Sequence, residues 1–418
     1  MELDVLRYQA KVHAAAHTSE YLYHQLIPYL GNKRKLLPLI AEAVAQTGVS
    51  SGLFADFFAG SGVVSRFAKQ AGFQVIANDW EPYSQAINQC YIACNTLPAF
   101  AAFGSLETVY QTLNELPNAE GYVSANLCPI NDTCPDPDTE RLFFTRANGG
   151  KIDAIRAQIA LWARYGQITP DEEAVLLASL VYAVSYVSNT SGVFKGFHRG
   201  WGGKTGTALY RILSTLTLRP PVLYDNGLDN RATQLDAQCL ADCLRLSGER
   251  IAIAYLDPPY NQHPYGSNYH VLNTVALGDS PLTPGRGVPG NKSAIRTDWR
   301  TERRSAYNHR AALDAYQLLL RSLDARYILT SYSTDGLMPL AAMLDAAAER
   351  GRLSCVTHVY KRYRVSRQRM SLRPTNAEFV LIIDTQKPPR PDDAAQVLER
   401  ITVTEQSEGL KSSMPKTL

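Results

Sequence analysis

No apolar run in this 418-residue chain approaches the ~20 residues that a bilayer-spanning helix needs. The longest candidate, ASLVYAVSYV (178–187), suits a core helix, so no membrane partner is expected. The opening stretch MELDVLRYQAKVHAAAH lacks a basic start followed by an apolar segment, which points away from a secretory signal and toward the cytoplasm. Cysteine is scarce: seven residues, an odd number with no CxxC pair, which argues against a disulfide scaffold. Cys90/Cys94 and Cys239/Cys243 have helical spacing, and Cys128 and Cys134 lie in a Pro/Asp-rich loop. They read as buried or surface thiols rather than zinc ligands, so no metal is expected. Internal repeats are absent too.

Net charge is small, +3, but the positive charge is uneven. Residues 361–373 (KRYRVSRQRMSLR) carry six Lys or Arg and no acid, and 286–310 carry seven against two acids. Two basic segments in a nearly neutral chain suggest a local polyanion site.

What is present is a rhythm of strands and helices. Apolar, β-rich runs fall at 53–58, 73–78, 222–225, 251–256 and 327–331, with helical patterns at 33–47 and 63–71 among them. A last pair, 354–360 and 378–384, reads as a long hairpin around the basic segment. Alternation of this kind implies an α/β sheet of the Rossmann-like type. The stretch 96–220 breaks the rhythm and reads as an inserted, mainly helical lobe. Residues 1–95 and 221–385 would then form the two halves of the sheet domain, and 386–418 a polar tail, partly disordered.

Three stretches carry chemistry. In IAIAYLDPPY (251–260), two prolines stop an apolar strand, because proline has a fixed φ and no donor for the ladder. Asp257 and Tyr260 would stand in a stiff loop at the carboxyl edge of the sheet, where open α/β sheets bind ligands. Alone, the motif also reads as a plain strand-ending turn. In DFFAGSG (56–62), glycines between a strand and a helix allow close backbone approach and offer a helix N-terminus. Asp79 ends the next strand, where a carboxylate usually holds a ribose diol, so the pair points to a nucleoside-containing cofactor. In YLGNKRKLL (29–37), Lys33 opens a helix and would pair with a ligand carboxylate beside Tyr29. The run SNTSGVFKGFHRGWGGKTG (188–206) holds four basic or His side chains, three large aromatics and six glycines, a mixture suited to phosphates and base edges.

These motifs in this order resemble the alpha-class, Dam-like DNA adenine-N6 methyltransferases over about residues 25–385. The runs 188–206 and DPPYNQHPYGSNYHVLNT look most like members from bacterial restriction–modification systems. The resemblance implies a Rossmann-like sheet with an inserted target-recognition lobe, S-adenosylmethionine as cofactor, double-stranded DNA as substrate and a possible cognate restriction endonuclease as partner. It implies that Tyr29 and Lys33 meet the methionine end of the cofactor. Asp56, Phe58, Gly60 and Gly62 would shape the pocket, Asp79 would bind the ribose hydroxyls, and Asp236 (in TQLDA) would face the cofactor's adenine. Many relatives carry tryptophan where this chain has Tyr29. Asp257 and the carbonyl of Pro258 would accept the two N6 hydrogens of a flipped-out adenine, orienting its lone pair, with Tyr260 stacking on the base. Asn189, Lys195, His198 and Arg199 would contact bases, and Arg362 and Arg364 phosphates. An N4-cytosine or RNA adenine methyltransferase, or a catalytically silent DNA-binding relative, remains an alternative.

Overall fold

The structure is a computed structural model, described for residues 10, 12–16, 19–206, 208–281, 293–296, 304–361 and 375–406. Seven strands form one sheet in the order β3-β2-β1-β4-β5-β7-β6. They are β1 (Leu53–Asp56), β2 (Gln74–Asn78), β3 (Arg231–Thr233), β4 (Ile251–Leu256), β5 (Ala325–Ser333), β6 (Arg352–Lys361) and β7 (Thr375–Asp384). The first five positions in that order are parallel, and β7 runs antiparallel to both β5 and β6. Both faces are covered, which is why the central strands read as continuous apolar runs. Phe54, Val75, Ile253, Leu329 and Val380 face the helices Leu37–Thr47 and Val63–Ala71. Ala55, Ile76, Ala254, Ile328 and Leu381 face Ala237–Ser247, Ala312–Ser322 and Leu340–Ala348.

Between β2 and β3 the chain builds a helical region with its own core, centred on Arg146–Arg164 and Pro170–Val187. The second of these helices starts with a reciprocal cap: Thr169 accepts from the Glu172 N–H and Glu172 accepts from the Thr169 N–H, with Pro170 at the first position. Its remaining turns are almost wholly buried, as the apolar run 178–187 leads one to expect. No helix among the described residues is long and apolar enough to cross a membrane.

One expectation needs correction. The run 222–225 is not a strand; Val222, Leu223 and Tyr224 pack on the helical core, and Tyr224 lies 5.5 Å from the ring of Tyr21. A short apolar run fits a core-facing loop as well as a strand, and the third strand is instead the half-buried Arg231–Thr233. Just ahead of it, the Asn230 side chain accepts from the Val75 N–H at 3.0 Å and extends the ladder. Within the tail, the helix Asp393–Gln406 packs on β6 and buries Val397 and Ile401. Burial of such side chains stabilises by about 1.5–3 kcal/mol each, enough to hold a mostly polar helix in place. The expected final hairpin is present as β6 and β7, joined in register from Arg352↔Asp384 to Lys361↔Thr375. Arg362 and Arg364 lie outside the described residues.

Candidate active site

β1, β2 and β4 end at the same edge of the sheet, and their last residues begin the site. Phe57 N–H donates to the Tyr255 carbonyl at 3.0 Å and Ala59 N–H to the Asn78 carbonyl at 2.8 Å, so the glycine loop is bridged across three strands. Asn78 is a buried clamp: its amide donates to the Phe57 and Leu235 carbonyls and its oxygen accepts from Thr233 and the Leu235 N–H. That clamp brings Asp236, the cap of helix Ala237–Ser247, to the same edge as Asp79.

The glycines are required by geometry. Gly60 and Gly62 have φ of +53° and +78°, and a Cβ at Gly60 would lie 2.7 Å from the Tyr29 ring. At Gly62 it would lie 2.5 Å from Asn88 Oδ1. Asp79 accepts from the Gly60 N–H at 2.8 Å and from the Glu81 N–H at 2.9 Å, and burial pushes its carboxyl up to about 6.

A cleft of about 190 Å³ opens at this edge, lined by Tyr29, Lys33, Phe58, Asp79, Asp236, Asp257, Pro258 and Tyr260 among others. Asp56, Gly60 and Gly62 stand behind its wall. Asp56 is buried and accepts from Ser65 Oγ at 2.7 Å, and burial pushes it up to about 7. Tyr29 is stacked on Tyr269, with ring centroids 5.0 Å apart.

Lys33 was expected to face a ligand carboxylate. Its buried ammonium lines the cleft, lies 2.8 Å from Asp257 Oδ1 and donates to the Tyr260 hydroxyl at 2.8 Å. Asp257 Oδ1 is thus occupied by this cation. Burial raises the Asp257 carboxyl and the Lys33 charge opposes that rise. Tyr260 is held edge-to-face on Tyr332 at 4.8 Å, and its carbonyl accepts from the Leu337 N–H. The Asn308 amide fixes the next residue by donating to the Asn261 carbonyl at 2.7 Å. The arrangement offers a rigid, half-buried acceptor beside a nucleoside-sized cleft.

The glycine/aromatic run is placed differently. Asn189, expected at a base edge, is fully buried: its amide donates to the Leu142 and His198 carbonyls and its oxygen accepts from the Gly202 N–H. It knots the loop together and presents nothing outward. Arg199 is exposed and paired with Asp138 at 2.7 Å, and Lys195 lies 3.3 Å from His263 Nδ1. His198 is half-buried against Gly203. Sequence reasoning missed Glu81 and Tyr265 in the cleft wall, although both flank motifs it used, and missed Tyr307 and Asn308, which carry no local signal.

This sheet order, with its antiparallel β7, its glycine loop and a carboxylate–proline loop at the strand edge, defines a class of α/β methyltransferases. The comparison with known families is specific: residues 29–294 match the model of the D12 class N6 adenine-specific DNA methyltransferases, and the chain belongs to that family. Its reaction is methylation of adenine N6 in DNA. It is 33% identical over 357 residues to the type II methyltransferase M.NlaIII of Neisseria lactamica, covering 84% of this chain and 96% of that one. It is 31% identical over 379 residues to the modification methylase LlaI of Lactococcus lactis subsp. lactis, covering 86% of this chain and 56% of the relative. It is also 31% identical over 312 residues to the type II methyltransferase M.FokI of Planomicrobium okeanokoites, covering 74% and 45%. The chain thus spans nearly all of the first and about half of the other two.

Proposed function

We propose that the cleft binds S-adenosylmethionine and that the protein methylates a flipped-out adenine within a specific double-stranded sequence, as the modification half of a restriction–modification pair in the cytoplasm. The donor set fits this cofactor: carboxylates of Asp79 and Asp236 suit a ribose diol and an adenine amine, and Phe58 supplies an apolar wall. When bound, the cofactor supplies an electrophilic methyl group. The protein's own work is on the target. The Asp257 carboxylate and the Pro258 carbonyl accept the two N6 hydrogens and so turn the nitrogen lone pair out of the ring's conjugation. Pro259 contributes no competing donor and keeps the loop stiff, which is preorganisation rather than acid–base catalysis. Lys33 holds Asp257 ionised and steadies Tyr260, whose ring receives the flipped base.

The observation that carries this reading is the Asp257 carboxylate, held by the Lys33 ammonium at 2.8 Å and lining the same cleft as Asp79 and Asp236. Residues 96–220 form the target-recognition lobe in this reading, with Lys195, His198 and Arg199 at base edges and Arg362 and Arg364 on phosphates. The alpha-class order of motifs favours adenine over cytosine. A cognate endonuclease is the partner implied. The test is methyl transfer from labelled S-adenosylmethionine to duplexes of varied sequence, with transfer to one sequence expected and uniform or absent transfer contradicting it.

A further inference from the structure

Resting on that reading of the catalytic loop, one buried carboxylate has no part in it. Glu378 lies on β7, opposite Ser333 of β5, and is only 8% exposed. Its Oε2 has no hydrogen-bond partner, and neither has Oδ1 of Asn376, two residues earlier on the same face of the strand. That face packs against the helix Leu37–Thr47, which follows Lys33 directly. Glu378 therefore lies within electrostatic reach of Lys33 and Asp257. The other charged or titratable groups around it are Asp335, Tyr255, Tyr260 and, across the ladder on β6, His358. One ammonium thus serves two buried carboxylates. Asp257 holds it at 2.8 Å, while Glu378 stands farther off without an ion-pair contact among the described residues.

We propose that Glu378 is a positioning residue for methyl transfer, a second buried carboxylate in the field of the Lys33–Asp257 pair that sets the charge balance behind the acceptor loop. As the target nitrogen bonds to the methyl carbon and the donor's sulfur–methyl bond breaks, leaving a neutral thioether, the nitrogen gains positive charge until one of its protons leaves to water. A fixed buried anion within electrostatic reach of the acceptor loop stabilises that change more than it stabilises the bound substrate. Two carboxylates in the field of one cation titrate as a set. Burial pushes Glu378 up to about 7, with Asp257 adding to the rise and Lys33 opposing it. Glu378 is therefore a group that changes charge near neutrality, as Asp56 is, and Glu378→Gln separates its share of that change from that of Asp56.

The test is kcat at saturating DNA and S-adenosylmethionine between about pH 5.5 and 9, for the wild type, Glu378→Gln and Glu378→Asp. Wild-type kcat should rise roughly tenfold through about pH 7, the size expected for one buried charge near the reacting atoms. Glu378→Gln should lack that rise and stay near the wild type's lower level, with cofactor Kd within about threefold. Glu378→Asp, which keeps a charge, should restore part of the step. The proposal is overturned if Glu378→Gln keeps the step, or if it loses the same factor at every pH, as a merely destabilised enzyme does. Failure of the underlying reading is distinct: the wild type would then transfer no methyl group at any pH.

Discussion

Asp257 and Asn189 are both polar residues in loops rich in turn formers, and the structure uses them in opposite ways. Asp257 follows a central strand, and the strand's own hydrogen bonds fix its backbone, so its side chain is spent not on the loop but on the cleft, where Lys33 holds it. Asn189 opens a loop of six glycines that has no ladder to lean on, and its side chain is consumed in making that loop. Composition therefore identifies function where secondary structure carries the geometry. Where a loop must satisfy its own backbone, the same residue types become internal struts.

The comparison can be broken most severely at Asp257. Asp257→Ala should lower kcat by at least about 10²–10³-fold, the loss seen when one preorganised polar contact is removed. Its cofactor Kd should stay within about tenfold, as read by calorimetry beside a methylation assay. A second break separates the strut from the exposed cation. Asn189→Ala should cost about 2–4 kcal/mol in urea unfolding, because it orphans several buried backbone groups at once. Arg199→Ala should change stability by less than about 1 kcal/mol, since its pair with Asp138 is exposed. The same variant should narrow the affinity gap between cognate and scrambled duplexes by about 1–3 kcal/mol in competition binding. Equal losses on both duplexes would assign Arg199 to phosphate contact.

Much of this site is legible in the sequence because the ends of β1, β2 and β4 are announced by apolar runs that stop at Asp56, Asn78 and Leu256. The residues that follow are delivered to one edge by parallel pairing alone. What the sequence hides are contacts between distant segments. Lys33 reaches Asp257 across more than two hundred residues, and nothing near either residue says that the two meet. The β3 assignment fails for a related reason: 222–225 has the apolar side chains, yet the helical core competes for them. Glu378 sits in an apolar strand where an isolated acid reads as an edge residue, and its burial appears only once β7 is seen between β5 and β6.

A smaller effect sharpens the cofactor side of the cleft. If Asp79 must be ionised to accept ribose hydroxyls, S-adenosylmethionine binding should be full at pH 8. It should weaken as pH falls through about 6, by up to about tenfold per unit below that value. Asp79→Asn should bind more weakly at pH 8 and show no such slope, as measured by calorimetry across pH 5–8. The smallest effect expected is on salt dependence. Replacing Arg362 or Arg364 should weaken all duplexes alike and reduce the salt slope by about 1 per cation.

The central claim is that Asp257, held by Lys33, presents an adenine amine for methylation. The most direct measurement is nucleoside analysis of duplex DNA incubated with S-adenosylmethionine and either the wild-type protein or Asp257→Ala. N6-methyladenine should accumulate with the wild type and be absent with the variant. N4-methylcytosine in its place, or N6-methyladenine at near wild-type rate from Asp257→Ala, would contradict the account.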